Sequence, residues 1–450
     1  MTSSQHLPTR DVLRTWWPLA ASWILMALEG PALNIVVARL VDPRIHLAAY
    51  GSLVFPLALL IEAPIIMLLA ASTALCKDWT AYRKMRRFMH TAGAALTVLH
   101  GVVAFTPLYG LLARDLLGVP EEIIGPGRIG LMVMLPWTWA IAYRRFNQGV
   151  LIRFGHSIVV GIGTGIRLLA NVSVLAVGFA LQSIPGTTVA TSAIIAGVLS
   201  EAVYVGLRVR PVLRTRLPKE AADDGLTYAA FFRFYVPLSL TSIIFLGARP
   251  ILTAAISRMP NALDSLAVLP VITGLTFLLR SAGVAFSEVV IAHLDTRDSA
   301  RTLRRFAFGL MGATTAGMLL VATTPLSRIW FGTITGLPEN LIDLARGGLW
   351  FALLLPALSA LQSWFQGIVL HSRRTRSITE AVLVYLLAST AMLIAGIQWG
   401  AIAGAYVGLG AMTVGELART AWLGWRGRCA RLALWERDSG SPSEPTTAPR

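Results

Sequence analysis

Residues 247–258 read GARPILTAAISR and set Arg249 beside Pro250 inside a largely apolar run from Phe231 to Ile256. A helix needs about 20 such residues to cross a bilayer, so this run reads as a membrane span. A guanidinium at membrane depth costs about 2.5–3.5 kcal/mol or more, so an arginine there faces a cavity, a partner or a bound anion. The stretch has an echo upstream. Pro31 and Arg39 recur as Pro250 and Arg258, each shifted by 219 positions (250 − 31 and 258 − 39).

The echo extends along the whole chain. Trp17-Pro18-Leu19 answers Val236-Pro237-Leu238 at a shift of 219, and Arg86-Arg87-Phe88 answers Arg304-Arg305-Phe306 at 218. Pro107-Leu108 matches Pro325-Leu326, and Gly118-Val119-Pro120-Glu121 matches Gly336-Leu337-Pro338-Glu339, again at 218. Phe146-Asn147-Gln148-Gly149-Val150 answers Trp364-Phe365-Gln366-Gly367-Ile368 at the same shift. A nearly constant offset is the signature of a duplicated unit. Each copy holds six spans, and because six is even the copies share one orientation, related by an axis along the membrane normal.

The expected fold is therefore an all-α polytopic membrane protein, with twelve transmembrane helices in two parallel six-helix repeats around a central cavity. Composition agrees: 55% of the residues are hydrophobic and 14% charged, with mean hydropathy +0.65, too apolar for a soluble enzyme of 450 residues. The spans are read at 16–40, 46–75, 88–113, 128–150, 155–179, 188–209, 231–256, 265–291, 303–328, 345–370, 377–397 and 400–424. They are far longer than the strands of about ten residues that build a membrane barrel. Residues 1–210 form an N-terminal bundle, 211–230 a cytoplasmic linker, 231–425 a C-terminal bundle, and 426–450 a cytoplasmic tail that reads as disordered at its end. The first run is longer than a signal-peptide core and reads as a retained helix.

The formal net charge of +16 sits in short clusters between apolar runs, which suits basic cytoplasmic loops and leaves no separate domain for nucleic acid. Those clusters are Arg10 and Arg14; Lys77 to Arg87; Arg144, Arg145 and Arg153; Arg208 to Lys219; Arg297 to Arg305; and Arg373, Arg374 and Arg376. They place both termini in the cytoplasm, in a multi-pass protein of the cell membrane. Cys76 and Cys429, at the cytoplasmic ends of spans, form neither a disulfide framework nor a metal site.

Short colinear motifs carry a family likeness. They are Trp17-Pro18-Leu19-Ala20, Glu29 with Ala32-Leu33-Asn34, Leu47-Ala48-Ala49-Tyr50-Gly51, Leu135-Pro136-Trp137 leading to Gly149-Val150-Leu151, and Arg249-Pro250-Ile251 followed by Ser257-Arg258. With the two repeats and the Gln-Gly ends of helices 4 and 10, the chain resembles the multidrug/oligosaccharidyl-lipid/polysaccharide (MOP) exporter superfamily, with a MATE-like fold. Within it the chain is most similar to the progressive ankylosis (ANK) family. The resemblance implies export of a small polyanion such as pyrophosphate, a nucleotide or citrate.

At 1.5 Å per residue, Glu29, Glu62, Arg167 and Arg280 fall near mid-membrane, and Arg249 in the outer half of its span. Glu62 maps onto Arg280 (280 − 62 = 218), and Gly30, beside Glu29, maps onto Arg249 (249 − 30 = 219). Acids in the first half thus stand where arginines stand in the second. That asymmetry suggests a cation or proton site at Glu29 and Glu62, joined by Asn34, facing an anion clamp at Arg249 and Arg280, with Arg167, Gln148 and Gln366 as further substrate contacts. Arginine suits the clamp because its planar fork grips carboxylate or phosphate through paired hydrogen bonds. The plainer alternative is that Glu29 or Glu62 neutralises Arg167, that the asparagines bond neighbouring helices, and that Gln148 and Gln366 mark helix packing through the glycines that follow them. Glu201 and Glu416 read as partners of loop arginines. Arg39 and Arg258 read as side chains that snorkel to headgroups. Pro31 and Pro250 read as hinges.

The reading is a secondary exporter of a small anion, without a metal or other cofactor, coupled to a proton or a sodium ion. It works as a monomer in the lipid bilayer. A cation-coupled multidrug antiporter and a flippase of a lipid-linked saccharide are the alternatives. No P-loop, HExxH or GxSxG motif supports an enzyme.

Overall fold

The computed structural model describes residues 7–219, 226–294, 299–372 and 376–439. Arg297, Arg373, Arg374 and the end of the polar tail lie outside them. Among the described residues there are no strands, and twelve long helical rods follow one another. They are α1 (Thr9–Val37), α2 (Pro43–Leu75), α3 (Trp79–Phe105), α4 (Glu121–Val133 continued by Leu135–Arg153), α5 (Ser157–Leu181), α6 (Gly186–Thr215), α7 (Tyr228–Ile256), α8 (Ala262–His293), α9 (Ser299–Thr323), α10 (Glu339–His371), α11 (Arg376–Trp399) and α12 (Gly404–Arg426). A last helix, α13 (Arg428–Ser439), follows. This is an all-α polytopic membrane protein.

Ten of the rods are long and apolar enough to cross a membrane; α4 and α12 are not among them. The reason is local. Arg144, Arg145 and Gln148 interrupt α4, and Glu416 and Arg419 interrupt α12. These two rods turn their polar groups into the protein, so they need less apolar surface than helices that face lipid.

The repeat is visible in small backbone features. The π-helical turns Leu111–Leu116 and Ile329–Thr335 begin 218 positions apart, and each leads to a glycine with positive φ, Gly118 at 64° and Gly336 at 80°. Asp42 and Asn261, 219 apart, are both left-handed at φ 50° and 54° and sit just before α2 and α8. Asp and Asn tolerate that conformation better than other non-glycine residues. Pro120 and Pro338 take the N-cap position, one place outside the helix, and Glu121 and Glu339 stand in the first turn near its positive end.

Each half also lends its leading helix to the other. The first part of α1 packs Val12 among Phe286, Leu303 and Trp364, and the Trp16 indole donates to the Ala282 carbonyl at 2.9 Å. In return Phe231 of α7 meets the Phe88 ring at 4.8 Å, and the Tyr235 hydroxyl donates to the Pro64 carbonyl. The expected hinges behave differently. α1 is interrupted at Leu28, just before Pro31 removes an amide from the ladder, whereas α7 runs unbroken through Pro250.

Arg39 and Arg258 correct the headgroup reading. The Arg39 guanidinium donates to the carbonyls of Thr333, Ile334 and Thr335 at 2.7–2.8 Å. Arg258 donates to those of Leu116 and Leu117 at 2.8–2.9 Å. Each arginine therefore clasps the end of the other half's π-turn. At Gly336 the fit is tight, since a Cβ would stand 3.1 Å from the Arg39 guanidinium carbon, whereas at Gly118 a Cβ would be in ordinary contact with Arg258 and the positive φ is what favours glycine. More bonds seal the same end of the interface, with Ser52 donating to Leu266, Thr253 to the Ser52 carbonyl, and Asn34 to the Pro270 carbonyl.

Candidate functional site

Two polar clusters lie inside the apolar body, one in each half. In the first half, Arg167 on α5 and Asn171 one turn further both donate to the Glu29 carboxylate on α1. Glu201 on α6 is fully buried; it accepts from Arg144 at 2.6 Å and from Gln148 at 2.9 Å, with Arg167 3.8 Å away. Glu62 on α2 is buried within electrostatic range of Arg144 and Arg145, and one of its carboxylate oxygens has no hydrogen-bond partner among the described residues.

The second half repeats the scaffold with different charges. Glu416 on α12 accepts from Arg280 on α8 at 2.7 Å and from Gln362 on α10 at 2.6 Å, and Arg419 lies 3.5 Å away, one turn along. Tyr385 on α11 stands within electrostatic range of Arg249, Arg280 and Glu416. At a shift of 218, Arg167 becomes Tyr385, Arg144 becomes Gln362, Glu201 becomes Arg419 and Glu62 becomes Arg280.

The charge balance of the two clusters differs. Glu29, Glu62 and Glu201 face Arg144, Arg145 and Arg167, so the first cluster is neutral when all are ionised. In the second, Arg280 and Arg419 face Glu416, and Arg249 stands within electrostatic range of Arg280 and Tyr385 with no acid of its own, leaving two positive charges over. Arg249 makes no hydrogen bond or ion pair among the described residues. It is crowded by protein on many sides and near the like charge of Arg280, yet its side chain is exposed. Arg249 therefore keeps its guanidinium free while standing beside a second arginine. A planar cation with five free donors there is suited to receive an anion.

The candidates separate accordingly. Glu29 and Arg167 are brought together as a pair, which is the plainer alternative read from the sequence. Asn34 does not join Glu29; its amide crosses the interface to Pro270. Gln148 is occupied by Glu201, and Gln366 lies outside the second hydrogen-bonded cluster, where Gln362 takes the equivalent task. The glycines beside them pack helices: a Cβ on Gly149 would strike Ser72, and one on Gly367 would strike Val290. Two expectations are corrected. Among the described residues Glu201 and Glu416 pair not with loop arginines but with Arg144 and Arg280, which reach them from within helices. Arg144 is 5% exposed and belongs to the buried cluster, so it drops out of the count of basic loop residues.

No protein-family model matches the chain. Its fold is similar to solved membrane transporters. One is a multidrug-resistance MATE-family transporter of the MOP superfamily in an inward-facing conformation, at TM-score 0.66 and 13% identity over 92% of this chain and 96% of that one. Another is a MOP-superfamily transporter from Pyrococcus furiosus whose binding pocket is described as of reverse polarity, at TM-score 0.60 and 16% identity over 95% and 97%. A third is the lipid II flippase MurJ in an inward closed conformation, at TM-score 0.62 and 12% identity over 91% and 89%. The chain thus has the fold of these MATE and MurJ transporters along nearly its whole described length.

Proposed function

We propose that this chain is a secondary active transporter that exports a small organic or phosphate-bearing anion by alternating access between its two bundles. The carrying observation is the excess of two positive charges around an unpaired, exposed Arg249. A cluster of that sign repels cationic drugs and attracts anions, which sets the proposal against multidrug antiport. Pyrophosphate, a nucleotide or a citrate-like anion is the cargo to test first, on the likeness to the ANK family noted in the sequence. Glu62, buried with an unbonded oxygen beside Arg145, is the group suited to exchange a proton or sodium ion, while Glu29 is already engaged by Arg167 and Asn171.

Transport in proteoliposomes tests this reading. Arg249→Ala is expected to cut anion flux at least ten-fold with the protein still folded, and Arg249→Lys to recover part of it. Wild-type flux in both Arg249→Ala and Arg280→Ala would remove the clamp.

A further inference from the structure

The two halves differ at their predicted cytoplasmic ends in a way the transport reading does not use. In the first half a cavity of about 260 Å³ opens between α3, α4 and α6, with Arg86 and Arg210 among its walls together with Tyr82, Tyr143, Asn147 and Gly206. Tyr82 and Arg86 are one turn apart on α3, and Gly206 and Arg210 one turn apart on α6, so each helix offers one face to the space. Neither guanidinium makes a hydrogen bond or ion pair with any described residue, and both are exposed.

The same place in the second half is filled. At a shift of 218, Tyr82, Arg86, Asn147 and Gly206 correspond to Ala300, Arg304, Phe365 and Gly424. α13 covers all four. Arg304 lies over the Trp435 ring at 4.3 Å, and Arg431 lies 4.9 Å from the Phe365 ring and donates to the Gly424 carbonyl at 2.6 Å. The Asp438 carboxylate accepts from the Ala300 amide at 3.1 Å. Leu434 packs into the apolar floor beside Trp364 and Ile368. The second-half groove is thus filled from within the chain, with an aromatic ring over Arg304, a guanidinium on Phe365 and Gly424, and a carboxylate on the Ala300 amide.

We propose that the first-half groove, which no segment of the described chain fills, takes its occupant from the membrane, an anionic phospholipid of the cytoplasmic leaflet, with its phosphate between Arg86 and Arg210. Depth supports the source, given the orientation set by the basic loops. Arg86 lies seven residues into α3 and Arg210 five residues from the end of α6, about 7–11 Å from the helix ends, which is the level of lipid headgroups. Charge supports the class, because basic pockets between helices on this side of a membrane hold anionic headgroups.

Native mass spectrometry of the full chain in neutral detergent, titrated with phosphatidylglycerol or phosphatidylcholine, tests the site. The wild type should hold one phosphatidylglycerol in preference to phosphatidylcholine. Arg86→Ala with Arg210→Ala should weaken that binding by roughly 30-fold, while Arg83→Ala with Arg87→Ala, on the exposed side of the same turn, should stay within a few-fold of wild type. Gly206→Ala supplies a variant with no charge change: its methyl would meet the Tyr143 hydroxyl at 2.4 Å and push that ring into the cavity, so it too should weaken binding. Thermal unfolding confirms that each variant is folded. Equal losses in the two arginine pairs would overturn the site in favour of general surface charge. Displacement of the lipid by millimolar inorganic phosphate would overturn the lipid as the occupant.

Discussion

Glu62 and Arg280 occupy equivalent places in the two halves, and that single exchange was legible in the sequence because the repeat offset exposes it. The partners were not. Glu201 and Glu416 look like helix-end acids by position, and only the packing of α4 against α6 and of α10 against α12 shows that they anchor the two clusters. The offset does hold a signal that finds part of them, since Arg167 to Tyr385 and Glu201 to Arg419 are further changes of charge at 218. The Arg144–Glu201 pair, 5% and 0% exposed, is a strong test of this arrangement. Glu201→Ala leaves a buried guanidinium without its partner and should destabilise the protein by about 3–5 kcal/mol, read as a lowered unfolding midpoint in detergent. The double change Arg144→Met with Glu201→Leu should cost clearly less than either single removal. If Glu201→Ala unfolds like the wild type, the pair is not buried as described.

Among the helices, the feature with the clearest functional consequence is the reciprocal clasp of Arg39 and Arg258. Sequence alone gave their equivalence but not their targets, because a carbonyl at the end of a π-turn has no residue signature. Charge-assisted hydrogen bonds of this kind contribute about 1.5–3 kcal/mol each, so the clasps favour the state in which this end of the interface is closed. Removing both with Arg39→Ala and Arg258→Ala should raise opening at the predicted outer face by roughly ten-fold or more. Ser52→Cys, buried at 2% exposure in the sealed interface, reports it through labelling by a membrane-impermeant thiol reagent, with Cys429→Ser removing the exposed native cysteine. An unchanged labelling rate would mean that the clasps do not hold the gate. The break of α1 at Leu28 without a counterpart in α7 further makes α1 the more readily bent of the two leading helices.

For the molecule as a whole, the duplicated unit and the membrane class follow from periodic punctuation and hydropathy, which are dense along the chain. The two rods least apolar in composition, α4 and α12, carry Arg144, Arg145, Glu416 and Arg419, so the weakest parts of the hydropathy pattern fall on members of the clusters. The surroundings of Arg249, with Arg280 on α8 and Tyr385 on α11, depend on how α7, α8 and α11 come together, which no local stretch encodes. The proposed transport requires that the second cluster, with its two surplus positive charges, bind the transported anion. Proteoliposomes containing the purified chain, assayed with labelled pyrophosphate, ATP, citrate and a cationic dye, with and without a proton or sodium gradient, test it most directly. At least one of the anions should move in the wild type and not in Arg249→Ala, and the dye should not move. Efflux of the dye with none of the anions transported would contradict the proposed transport.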